Sequence, residues 1–176
     1  SMAINLITSR SHPHLTEIQF PNFNSVEAWW DKYPSSKGYQ LDIETNMTDD
    51  IVERIIYTIQ IGDLEGNTQL VFDMVDLHPR MIQIVREILE ADVPKYIQNA
   101  MFEYTVIKQC MGIEITNIKD TFLQSRILTC GLPPIQGRNS LAGIAHRVLG
   151  IELPKEEQTT FVGDILTQAQ VEYAAL

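Results

Sequence analysis

Three runs with a side-chain period of two, "GYQLDIET", "RIIYTIQIG" and "TQLVFDM", follow one another, and after Pro79 the apolar period lengthens to that of a helix. This succession constrains the fold more than any other feature. The links between the runs are short, with Gly62, Gly66 and Asn67 between the second and third, so the runs are expected to pair as antiparallel hairpins. Beyond Pro79, the residues Met81, Ile84, Val85 and Ile88 fall on one helical face. A strand is read over "KYIQNA", a second helix carries Phe102, Val106, Ile107 and Cys110 up to Gly112, and "IEITNI" reads as another strand. Upstream, Asn24 with Glu27 resembles a capping box for "SVEAWWDKY", which should end near Pro34. Downstream, Asp120 can cap "TFLQSRILTC", Ser140 opens "SLAGIAHRVLG", and Thr167 with Gln170 caps "QAQVEYAAL" with Leu166 and Val171 as its staple. Three antiparallel strands followed by alternating helices and strands make an α/β domain with a mixed sheet.

The chain has 176 residues, enough for one domain with a core that needs no disulfide or metal staple. Residues 36–176 are read as that domain, and residues 1–35 as an N-terminal extension packed on it, the first 20 being the least patterned and a loosely held edge. No apolar run approaches a membrane span. Cys110 and Cys130 sit in predicted helices without a framework of spacings, which favours reduced, buried thiols and a cytoplasmic compartment. The four histidines offer no zinc spacing, His12 and His14 flanking a proline and His78 and His146 standing apart. A net charge of −10 argues against a passive nucleic-acid coat protein, since phosphate affinity comes from Lys and Arg, but it leaves room for a nucleic-acid enzyme with acids gathered at a cation site.

The chain has no phosphate-binding glycine loop, no serine elbow and no cysteine with a histidine partner. Carboxylates remain. In "QLDIETN" the strand period sends Asp42 and Glu44 to one face, where like charges repel unless water, protons or a hard cation such as Mg²⁺ or Mn²⁺ neutralise them. A solvated outer face and a cation site both satisfy that pattern. Glu103 stands in the first turn of its predicted helix, where a carboxylate complements the helix dipole whether or not it does chemistry.

Four segments in order, "LDIET", "QNAMFEYTVI", "IKDTFLQSRIL" and "LTQAQVEYAAL", resemble the three motifs of the DEDD 3′→5′ exonucleases, best the tyrosine subgroup, together with "SLAGIAHRVLGIELPKEEQTTFVGD" ahead of the last. The resemblance runs from about residue 36 to 176 and implies a ribonuclease-H-like fold. It implies further that Asp42, Glu44 and Glu103 hold two divalent cations, Mg²⁺ or Mn²⁺, and that Tyr173 positions the attacking water. Glu103 departs from the pattern, which usually has aspartate there. The final aspartate of the pattern would fall four residues after Tyr173, one position past Leu176, so the domain reads as cut within its third motif helix and this fragment as impaired. Thr45, Asn99, Phe102 and Arg138 are the implied nucleic-acid contacts, although Phe102 also fits a core position and Arg138 an ordinary exposed arginine. The implied function is metal-dependent hydrolysis at a 3′ end. A single-stranded DNA end is expected in preference to RNA, with a family A polymerase domain as partner in the parent chain. A ribonuclease D-like exoribonuclease and a catalytically impaired nucleic-acid-binding module are the alternatives.

Overall fold

A computed structural model describes residues 3–46 and 48–121. Its strands are β1 (Ala3–Ile7), β2 (Tyr39–Thr45), β3 (Ile56–Asp63), β4 (Thr68–Asp73), β5 (Lys95–Ile97) and β6 (Ile118–Asp120). They form one sheet in the order β1, β4, β3, β2, β5, β6. The two antiparallel pairs expected are present, β3 with β4 through the short turn and β2 with β3 through a longer connection, residues 46–55, that holds a 3-10 turn at Ile51–Glu53. All other pairs are parallel, so β3 alone runs against the rest.

Helices α1 (Phe23–Asp31), α2 (Pro79–Glu90) and α3 (Ala100–Met111) accompany the sheet. The period of α2 is as the sequence indicates, with Met81, Ile84, Val85, Ile88 and Leu89 buried. They pack with Tyr39, Leu41, Ile43, Ile59, Ile61 and Phe72 in one core. Burying such aliphatic side chains stabilises the fold by roughly 1.5–3 kcal/mol each, before conformational entropy is set against it. Gly112 ends α3 in the left-handed conformation, φ 66°. Among the described residues no helix is long and apolar enough to cross a membrane.

Five local expectations are corrected. Helix α1 is capped by Asn22, whose side chain accepts from the Ser25 N–H at 2.8 Å, while Asn24 and Glu27 turn away to bind the Arg80 guanidinium. The tertiary ion pair outcompetes the capping box. The strand read over "IEITNI" begins only at Ile118, because Ile113 and Ile115 are anchored in the core instead of being paired. The first 20 residues are not a loose edge: β1 pairs in parallel with β4, and Leu6 and Leu15 pack on Val71. Cys110, expected to be buried, is exposed, since α3 directs Val106 and Ile107 inward. Phe102 is likewise 37% exposed, which removes the core reading of that ring. The helices read over 121–130, 140–150 and 168–176, with Cys130, Arg138, His146 and Tyr173, lie outside the described residues.

Candidate active site

Strand β2 sits where the chain switches direction across the sheet, with β3 and β4 to one side and β5 and β6 to the other. Ligand sites in α/β folds form at such points, beyond the carboxyl ends of parallel strands. Asp42 and Glu44 lie on this strand, half-buried, on the face opposite Leu41 and Ile43. Because β5 runs parallel to β2, the helix that follows β5 starts beside the carboxyl end of β2. That start is shaped by Asn99, which adopts the left-handed conformation, φ 53° and ψ 58°, tolerated by asparagine better than by most residues. The Asp120 carboxylate, at the end of β6, accepts from the Ala100 N–H at 3.1 Å and fixes the first turn.

The result is that Glu103, only 5% exposed, stands beside Asp42 close enough for each carboxyl to perturb the other. Burial first, and then the negative charge of Asp42, drive the Glu103 carboxyl well above the usual range. Asp42 is also pushed up by burial, opposed by the Ile43 N–H that donates to its Oδ1 at 2.9 Å. Glu44 is pushed up to about 8, mainly by burial and further by the charge of Asp42. The free oxygen of Glu103, Oε2, is buried with no hydrogen-bond partner.

The neighbouring strand continues this polar face. Register places Gln60 opposite Asp42 and Thr58 opposite Glu44, and both are buried. The Gln60 amide donates to the Thr58 hydroxyl, leaving Gln60 Oε1 buried and unpartnered. One strand further, Thr58 faces Asp73, a fully buried carboxylate that accepts from Arg10 at 2.9 and 3.0 Å and from the Thr8 hydroxyl at 2.7 Å, with His12 Nε2 at 3.0 Å. This network holds β1 and the segment after it against the sheet. Gln60, Thr58 and Asp73 drew no attention in the sequence, because their association with the acids depends on cross-strand register.

The donor set suits a hard divalent cation: oxygen ligands only, three acids raised first by burial, Glu44 and Glu103 further by the charge of Asp42, and a Glu103 carboxyl oxygen buried without a partner. Among the described residues no group of three acids closes tightly enough to hold a metal by itself. Thr45 stands at a register break at the end of β2, and Asn99 and Phe102 are exposed at the start of α3, the helix that carries Glu103.

Among the described residues, a mixed sheet with one antiparallel strand and helices beside it matches the ribonuclease-H-like architecture of DEDD exonucleases. Residues 24–176 match the 3′-5′ exonuclease family, and the chain belongs to it. No curated protein matches. Among solved structures the chain is similar to Escherichia coli RNase D, an exoribonuclease involved in structured RNA processing, at 22% identity and a TM-score of 0.65, covering 87% of this chain and 37% of that one. It is similar to Brucella melitensis NrnC with bound Mg²⁺, at 19% identity and a TM-score of 0.63, over 99% of this chain and 73% of that one. The catalytic core of RRP6 from Trypanosoma brucei gives 17% identity and a TM-score of 0.70, over 99% of this chain and 42% of that one. The chain thus spans little more than a third of RNase D. These likenesses correct one expectation: E. coli RNase D is an exoribonuclease, so the solved relatives give no backing to a DNA end in preference to RNA or to a polymerase partner.

Proposed function

We propose that this domain is a 3′→5′ exoribonuclease that uses two divalent cations, Mg²⁺ or Mn²⁺, held by Asp42, Glu44 and Glu103. The observation that carries the reading is the buried Glu103 carboxyl beside the half-buried Asp42 and Glu44, a concentration of acids whose charge protons or cations would neutralise. Bound cations would activate water and stabilise the leaving 3′ oxygen. The chain's own side chains position the reactants: Thr45, Asn99 and Phe102 frame the terminal nucleotide, Arg138 meets phosphate, and Tyr173 orients the water. The exoribonuclease character of E. coli RNase D supports RNA as the substrate class.

The test is shortening of a 3′-labelled single-stranded RNA in Mg²⁺ or Mn²⁺. It is made on this chain and on a chain carrying aspartate after Leu176, four positions past Tyr173. Divalent-dependent shortening that disappears in Asp42→Ala supports the proposal. Unchanged shortening in that variant, or equal shortening of the DNA counterpart, overturns it.

A further inference from the structure

A cavity of about 410 Å³ opens between the start of β3, the end of β4 and helices α2 and α3. That volume lies within the roughly 300–1,000 Å³ of small-molecule sites. Met74, Ile82 and Met111 contribute its apolar wall, Arg54 and Arg86 its charge, and Cys110 a thiol at its edge. Cys110 lies two helical turns along α3 from Glu103, roughly 10 Å, so this is a different place from the acid pair.

The two guanidinium groups are unequally engaged. Arg86 donates to Glu90 at 3.1 Å and to the Met111 carbonyl at 3.4 Å, which orients it across the cavity. Among the described residues Arg54 has no carboxylate partner. Its guanidinium lies 5.2 Å from the centre of the Phe102 ring, and its Nε is buried without an acceptor. In a chain with 23 acidic and 13 basic residues, an arginine without an acid is the exception, and a buried donor left open is costly unless a ligand supplies the acceptor. Softer apolar groups beside it, two of them methionines, adapt to a flat ring.

We propose that this cavity binds a small amphipathic anion of the nucleoside monophosphate type, its ring against Met74, Ile82 and Met111 and its phosphate between Arg54 and Arg86. Guanidinium groups recognise phosphate through paired, charge-assisted hydrogen bonds, and methionine sulfur makes favourable contacts with aromatic edges. The site uses none of the three acids, although Arg54 also faces, at 5.2 Å, the Phe102 ring that the proposed function gives to the terminal nucleotide.

The thiol supplies the readout. Alkylation of Cys110 by iodoacetamide, followed by peptide mass spectrometry, is measured on the 176-residue chain with adenosine monophosphate, adenosine or inorganic phosphate. Chelator is present so that the acid pair holds no metal-bound nucleotide, and equilibrium dialysis with labelled adenosine monophosphate runs alongside. The expected result is that the nucleotide slows alkylation and binds, while adenosine and phosphate alone protect less. Arg54→Gln and Arg86→Gln should each weaken binding roughly tenfold, with an unchanged melting temperature as the sign of an intact fold. No binding, binding without Cys110 protection, protection by phosphate alone equal to that by the nucleotide, or affinity indifferent to both arginines overturns the proposal.

Discussion

Glu103 is brought beside Asp42 by a helix that starts only after β5 has crossed back beside β2. Burial raises both carboxyls, each held there against its own preference for water. Asp42→Asn removes one charge while keeping an oxygen for the Ile43 N–H, so it should stabilise the metal-free protein by about 1–3 kcal/mol in urea unfolding. The same change should abolish divalent-dependent cleavage. A loss of stability together with retained activity would mean that the pair serves the fold alone.

The raised carboxyls make metal-free stability depend on pH. A carboxyl whose folded value lies above its unfolded value stabilises the fold below the unfolded value, and that contribution is lost as pH rises through the folded one. For Glu44 the window runs from about 4.5 to about 8, and Glu103 acts in the same direction. The slope is at most about 1.4 kcal/mol per pH unit for each group. The melting temperature without metal should therefore fall between pH 5 and pH 8, on the order of several degrees. Mn²⁺ should restore more at pH 8 than at pH 5, and a metal increment independent of pH would contradict this account.

Arg10 and Asp73 tie the N-terminal segment to the end of β4. Because Asp73 is fully buried, Arg10→Met leaves a charge held only by neutral donors and His12, and should cost roughly 3 kcal/mol. Adding Asp73→Asn to that variant should recover part of the loss, since the desolvated charge goes too. Urea unfolding gives both values, and hydrogen exchange should show β1 opening first in the single variant. Equal and additive losses from the two substitutions would show that they do not act through each other.

How much of this could be read in advance follows from which interactions are local. The period of two in "QLDIET" and the short turns after Asp63 gave the strands and hairpins, since side-chain alternation and turn chemistry act over a few residues. Asp42, Glu44 and Glu103 were legible as acids, and their grouping came through resemblance; the burial that raises their carboxyls needed the folded geometry. Local pattern failed where distant partners prevailed. Arg80 draws Asn24 and Glu27 away from a capping box, Asp73 recruits Arg10 and His12 from an unpatterned segment, and α3 turns Cys110 outward. Gln60 and Thr58 read as ordinary strand residues until register set them opposite the acids.

Phe102 stands one residue before Glu103 with more than a third of its surface exposed and Arg54 against its ring. A core phenylalanine would cost about 3–5 kcal/mol when cut to alanine; this one should cost about 1 kcal/mol or less, the worth of an exposed cation–π contact and some packing. Base stacking on an aromatic ring is worth roughly 1–3 kcal/mol, so Phe102→Ala should raise the KM for single-stranded RNA about 5- to 100-fold while leaving the melting temperature nearly unchanged. Phe102→Tyr keeps a stacking face and should keep KM, whereas Phe102→Leu keeps bulk without one and should follow the alanine variant. If leucine restores affinity as well as tyrosine does, the side chain contributes apolar volume and not a platform for a base.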